Sequence, residues 1–321
     1  MQRGSYNEVD DQARPPESSS ATRRKDSTVP SDCHKLPRVS QGTGRGSAVE
    51  AYDRMAPIYD EFNKANDYEV WLGEVLLPEL EKHGLHDAIF AANAKCALDV
   101  GCGTGRAFAP LVNRGWTVDG CDVSAQMLQE ASSKLPPLAR TLRVADARAL
   151  PVFHRETPVQ RAPFQLVLAL NDVVNYLTED GDLELFFGGV KKNLAPGGLV
   201  CFDANTLGML ESSFVAGGRA EASPNGAPLN ERGAWAWTGL TSAAEAGGIF
   251  EAELTGPGID APSIHRERHW MPAQIGAAML AADLKPIAVL GQREDGESIY
   301  LDPDPDEQLH YKLIYIGGHG D

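Results

Sequence analysis

The chain of 321 residues carries a formal charge of −16 and is 42% hydrophobic, enough for one large domain with an appendage or for two small ones. So acidic a chain is a poor partner for nucleic acid or for an anionic membrane surface, both of which draw on clustered Lys and Arg, and no run approaches the ~18 apolar residues needed to span a bilayer. The five cysteines (Cys33, Cys96, Cys102, Cys121 and Cys201) are odd in number and lack C-x-x-C spacing, which disfavours a disulfide scaffold or a zinc knuckle.

Residues 1–46 are rich in Ser, Thr, Pro, Arg and Gly and have no apolar periodicity, so a disordered tail is expected there. No apolar segment follows its charges, so no secretory signal is read and a cytoplasmic location is expected. Ser47 with Glu50 matches a capping box and predicts a helix through "AVEAYDRMAPIYDEF". A second helix is predicted over "YEVWLGEVLLPELEKHG", kinked or broken at Pro78. Alternation then begins. Strands are predicted at 95–100, 116–122, 141–147, 164–170 and 199–205, separated by amphipathic helices, one of them N-capped by Ser124. Apolar strands alternating with such helices mean a parallel sheet covered on both faces. After Asn205 the pattern changes. Residues 214–233 read as a loop, and "AWAWTGLTSA", "GIFEAELTG" and "SIHRERHW" read as antiparallel strands of an inserted sheet. "PAQIGAAMLAADL" returns to helix, and "KPIAVLG" and "HYKLIYIGG" to strands.

The stretch "ALDVGCGTG" (97–105) lies between a strand and a helix, where doubly wound sheets bind ligands. A dinucleotide fingerprint requires a third glycine where Arg106 or Phe108 stands, and a phosphate-binding P-loop requires a lysine that is absent. The pattern D-x-G-x-G-x-G is filled completely by Asp99, Gly101, Gly103 and Gly105. On these residues the chain resembles the class I S-adenosylmethionine-dependent methyltransferases over roughly residues 50–317. That cofactor carries a sulfonium and an ammonium but no phosphate, which suits a carboxylate beside the loop, while the glycines let the backbone approach closely.

The resemblance implies further positions. Asp122, followed by Val123, ends the second strand and would accept hydrogen bonds from the ribose hydroxyls. Met127 would lie against the adenine. Asp146 would receive the adenine amino group beside the amide of Ala147, and Asn171 would stand at the binding edge of the sheet. The upstream "AYDRMAPIYDEF" resembles the leading helix of small-molecule methyltransferases, including glycine-type and amino-sugar N-methyltransferases, in which a tyrosine closes over the cofactor; Tyr59 matches it. The expected fold is α/β, with a doubly wound, mostly parallel seven-stranded sheet and an antiparallel β insertion. Its expected parts are a core with leading helices (47–205), a lid (206–270) and a C-terminal helix and strands (271–321).

Insertions in such folds choose the acceptor. If "SIHRERHW" is a strand, His265, Glu267 and His269 share one face. Read as a helix, the two histidines at i, i+4 would suit zinc, but "HRERH" is not H-E-x-x-H, a third ligand is missing and Pro262 adjoins, so no metal is expected. Methyl transfer needs a nucleophile with a free lone pair, and histidine can take a proton near neutral pH. His269 and Tyr176 are therefore the first candidates for acceptor chemistry, followed by His265. The expected reaction is methylation of a small molecule, first at an amine nitrogen and second at oxygen. A catalytically silent cofactor-binding module is the alternative from another class. Homo-oligomerisation is left open.

Overall fold

The computed structural model describes residues 48–85, 95–135, 141–153, 164–217, 235–295 and 298–319. The tail expected at 1–46 and most of the loop expected at 214–233 lie outside them.

Two short helices lead, α1 (Ala48–Met55) and α2 (Tyr59–Phe62), joined by a single turn at Ala56–Ile58. The next helix starts with π-type turns over Glu69–Leu76 and becomes α-helical at α3 (Leu77–Lys82). Pro78 therefore sits in the first turn of a new α-helix, where its missing N–H has no partner to lose. The predicted kink is realised as this change of helix type. Alternation follows as β1 (Cys96–Val100), α4 (Phe108–Asn113), β2 (Thr117–Asp122), α5 (Ala125–Lys134), β3 (Leu142–Val144), β4 (Phe164–Ala169), α6 (Asp182–Asn193), β5 (Leu194–Asn205) and α7 (Leu207–Phe214). Then come β6 (Ala236–Gly239), β7 (Ile249–Thr255), β8 (Ser263–Arg268), α8 (Pro272–Ala281), β9 (Leu284–Asp295), β10 (Ser298–Asp302) and β11 (Lys312–His319).

The main sheet has eight strands in the order β10-β9-β11-β5-β4-β1-β2-β3. β1 to β5 run parallel, and β11, β9 and β10 are added antiparallel. The expected count of seven is corrected to eight: β10 folds back on β9 as an edge hairpin, with Ser298 opposite Asp295. Burial follows strand alternation. Leu98 and Val100 with Val200 and Phe202 face the cluster built on α6 and α8, while Ala97, Leu166 and Cys201 face the one built on Trp71, Leu76 and Phe108. Both faces are thus dry, as a parallel sheet requires. The inserted segment forms a separate antiparallel sheet, β6-β7-β8.

Chain order reverses between β1 and β4, which are neighbours. The crevice beyond their carboxyl ends is the switch point where such sheets bind ligands. The glycine loop after β1 forms one bank and the turn after β4 the other.

Candidate active site

Gly101, Gly103 and Gly105 have φ of 72°, 53° and 80°, the left-handed region that glycine enters without cost. A Cβ on Gly101 would lie 2.5 Å from Val173 Cγ2, so that position has room for glycine alone. A Cβ on Gly103 would meet, among the described residues, only Tyr59 Cε1 within 4 Å, at 3.9 Å. The loop thus leaves space on the Cα side of Gly103, with the Tyr59 ring beside it.

Asp122 organises the loop. Its Oδ2 accepts the Gly103 amide and its Oδ1 the Ser124 amide, each at 2.8 Å. A carboxylate has about four acceptor sites, so capacity is left for the two hydroxyls of a ribose. Burial pushes its acid up to about 6 although the two amides oppose this. Val123 lies between these two anchors, half-buried. Asp99 is pushed up further, to about 8, by burial and then by the charge of Asp122. A cationic group placed nearby would relieve that cost, which is the fit expected for an ammonium or sulfonium.

The other sequence-derived positions divide. Asp146 ends the third strand region, and its carboxylate is gripped by Arg148 at 2.6 Å; burial works against ionisation, but the Arg148 contacts hold it below its ordinary value. Ala147 begins a single turn beside it. Met127 is fully buried with Met55, Phe62 and Leu254, beneath the leading helices, so its visible task is packing. Asn171 and the following Asp172 both take left-handed backbone, φ 60° and 57°. That conformation costs free energy in a non-glycine residue and is held here by Asp203, which accepts both amides at 3.1 and 2.6 Å. The Asn171 side-chain amide donates to Tyr68 Oη at 2.5 Å.

A small cavity, partly open to solvent, adjoins this turn. It lies among Tyr52, Tyr59, Tyr176, Trp237, His265 and Glu267, with Asp172, Asn205 and Lys312 at the sheet edge. The strand reading of "SIHRERHW" fits the alternation of β8, with Ser263, His265 and Glu267 buried and the residues between them half-buried. His265 Nδ1 lies 2.8 Å from Tyr176 Oη and Nε2 3.1 Å from Ser263 Oγ. Ser263 spends its proton on the Ala51 carbonyl, so its oxygen must accept from Nε2–H. Burial holds the ring neutral by lowering its pKa to about 4. The bare nitrogen is then Nδ1, and Tyr176 donates to it. Tyr52 in turn hydrogen-bonds Tyr176.

His269, the first candidate from sequence, is placed differently. It stands beyond the end of β8 and outside the lining of this cavity. Its Nδ1 accepts the Gly247 amide at 3.0 Å, and its Nε2 meets Glu307 at 2.8 Å. Both ring nitrogens are engaged, so the ring acts as a brace between loops. Proximity leaves His265 and Tyr176 as the acceptor-side candidates.

Three cavity groups escaped the sequence reading, Lys312, Asp172 and Asn205, and a fourth, Glu267, was read only as a neighbour of two histidines. Lys312 from β11 pairs with Asp203 at 3.0 Å and Asp172 at 3.3 Å. Burial would lower its pKa, but these carboxylates outweigh it and raise it. Glu267 accepts from Asn205 Nδ2 at 2.8 Å and shares a hydrogen bond with Asp172; burial, then the Asp172 charge, drive its acid well above the carboxylate range. The detectable signals were a lone Lys in an otherwise apolar strand, which is buried only when paired, and polar residues following two strand ends at the switch-point edge. No group of three or more His, Cys, Asp or Glu among the described residues could hold a metal.

A methyltransferase-domain family matches residues 97–198, from β1 into β5. A methyltransferase-named protein of Geobacillus sp. (strain WCH70) is 28% identical over 167 residues, 51% of this chain and 61% of that one. The methyltransferase-named YqeM of Bacillus subtilis (strain 168) is 28% identical over 158 residues, 48% of this chain and 56% of its own. The matched region thus spans less than two thirds of either relative. Among solved structures, a S-adenosylmethionine-dependent methyltransferase from Clostridium acetobutylicum superimposes with TM-score 0.62 at 20% identity, covering 84% of this chain and 99% of the other. CcbJ methyltransferase from Streptomyces caelestis gives 0.55 at 16% identity, covering 85% and 99%. Residues 97–198 are thus a methyltransferase domain, and the chain has the Rossmann-like fold of S-adenosylmethionine-dependent methyltransferases, for which S-adenosylmethionine is the indicated cofactor.

Proposed function

We propose that the chain transfers the methyl group of S-adenosylmethionine to an amine nitrogen of a small molecule. The observation that carries this reading is the cavity beside Tyr59. Aromatic rings and two carboxyl groups, Asp172 and Glu267, wall it, and the only cation among its described lining residues, Lys312, is already paired with Asp203 and Asp172. Such a site favours a cationic or electron-rich guest over an anion.

The cofactor, when bound, supplies an electrophilic methyl on a sulfonium. Asp122 would hold the ribose, Asp146 and the Ala147 amide would take the adenine edge, and Asp99 would compensate the cationic amino-acid end. Tyr59, beside the loop, would cover the bound cofactor and separate it from solvent. The turn at Asn171 and Asp172 joins the two subsites. On the acceptor side the lone pair of a neutral amine must point at the methyl, and Asp172 compensates the positive charge that develops on nitrogen. The β6-β7-β8 sheet is the lid that brings His265 and Glu267 to this place.

One feature favours a second reading, methylation at oxygen: the Tyr176–His265 pair presents a bare imidazole nitrogen, which could take a hydroxyl proton through the phenol. Incubation with methyl-labelled S-adenosylmethionine and matched amines, alcohols and phenols, read by mass shift, separates the two. Labelled amines are expected. Label on oxygen alone would replace the amine reading, and cofactor binding without any transfer across the panel would leave a silent module.

A further inference from the structure

The cavity contains one buried acceptor with nothing to accept. Asn205, at the end of β5, is 2% exposed, and its Oδ1 has no hydrogen-bond partner among the described residues. Its orientation is fixed by its neighbours. Its backbone amide donates to Asn175 Oδ1 at 2.9 Å, and its Nδ2 donates to Glu267 Oε2 at 2.8 Å. Glu267 is equally buried, and burial, then the charge of Asp172, drives its acid well above the carboxylate range. With its NH₂ turned toward Glu267, Asn205 leaves its carbonyl oxygen unmatched among the described residues. An unpaired buried carbonyl is costly, and a ligand donor satisfies it.

Resting on the amine reading above, we propose that Asn205 Oδ1 receives an N–H of the acceptor, so that the site takes primary and secondary amines and stops at the tertiary product. The nitrogen lone pair forms the new N–C bond, the C–S bond breaks with its electrons going to sulfur, and the N–H bonded to Asn205 stays on nitrogen throughout. A secondary amine therefore reacts with one N–H still engaged and gives a protonated tertiary amine. Once that product has lost its proton it has no N–H, and a further turnover would leave Asn205 unpaired beside it.

The test uses the full chain saturated with S-adenosylhomocysteine, titrated by calorimetry at pH 7 with cyclohexylamine, its N-methyl and N,N-dimethyl derivatives, the N,N,N-trimethyl ammonium salt and cyclohexanol. The first three bind as cations with N–H; the fourth has the same charge and none. The expected result is a single step, with the quaternary ion at least about tenfold weaker than the dimethyl amine and the first three close together. In Asn205→Leu, which keeps the volume and removes the acceptor, the step should vanish. A graded loss with each methyl, without a step at the last, overturns the proposal by showing that size alone discriminates. So does an undiminished step in Asn205→Leu. The wild-type series is decisive even if that variant does not fold. Cyclohexanol binding as tightly as the amines would instead overturn the amine reading itself.

Discussion

Asp122 serves two masters. Its carboxylate holds the Gly103 and Ser124 amides, and it is the acid assigned to the ribose. Asp122→Ala should weaken S-adenosylhomocysteine binding by roughly 1.5–3 kcal/mol for each charged hydrogen bond lost, and it should also lower the melting temperature, because two buried amides lose their acceptor. Asp122→Asn keeps one accepting oxygen for the loop but sets its NH₂ against the other backbone N–H, so it should recover only part of the stability and little of the affinity. Calorimetry and thermal melts on the two variants check this; unchanged affinity in both would remove the ribose assignment. Asp122 was legible in the sequence because its place is set by a spacing from the glycine loop. The acceptor residues were not, because their meaning depends on register between distant segments. Glu267 was seen only as a neighbour of two histidines, whereas its partners Asn205 and Asp172 come from β5 and the turn after β4. His269 shows the same limit. The period-two rule put it on the face of His265, correctly as far as the strand runs, but the strand ends at Arg268 and the ring turns to Glu307.

At the level of elements, the leading helices α1 and α2 lie across the glycine loop and are tied to it by polar contacts. Ser124 Oγ donates to Asp53 at 2.5 Å, and Thr104 Oγ1 donates to Asp60 at 2.6 Å. Lys134 also pairs with Asp60, and Arg106 donates to the Asn63 carbonyl at 2.5 Å. The Asp60 contacts are half-exposed, so each contributes little to stability. They are suited to a cover that must open for exchange. Asp60→Ala should therefore shift the melting temperature by less than about 2 °C while speeding dissociation of S-adenosylhomocysteine several-fold in stopped-flow displacement. An unchanged rate would mean that the helices do not gate release. The order of elements was largely readable from periodicity, because buried strands and amphipathic helices differ in length and pattern. The eighth strand was missed although Asp295-Gly296 before "ESIYLD" is a hairpin signal. Its alternation is weak, since the strand lies at an edge with Tyr300 exposed.

Across the whole molecule, acids gather at one edge of the sheet. Asp99 and Asp122 stand at or beside the ends of β1 and β2, Asp146 follows β3, Asp172 follows β4, and Asp203 lies near the end of β5. The arrangement suits a cationic cofactor and acceptor, and it costs stability while no cation is bound. The sign follows from linkage. Asp99 and Asp122 bind protons more tightly folded, at about 8 and about 6, than at the ordinary value of 3.8, so the folded state holds more protons between these limits and stability falls as pH rises. His265 works the other way. Held neutral down to about 4 against an ordinary 6.5, it adds stability as pH rises through that window and nothing above it. Above pH 6.5 the opposing histidine contribution is complete, and Asp99 still titrates. The melting temperature of the free chain should therefore fall between pH 6.5 and 8.5, at up to roughly 1.4 kcal/mol per pH unit from Asp99, or about 2–4 °C. Asp99→Asn should reduce that slope without abolishing it, since the amide has no proton to lose while Glu267, also held well above the carboxylate range, adds a fall of the same sign. Saturating S-adenosylmethionine should raise the melting temperature most at the alkaline end, where the ionised Asp99 meets its counter-charge. Melts in matched buffers of constant ionic strength check all three. A slope in Asp99→Asn equal to that of the wild type would show that the pH dependence arises elsewhere, and it would detach Asp99 from the cationic end of the cofactor.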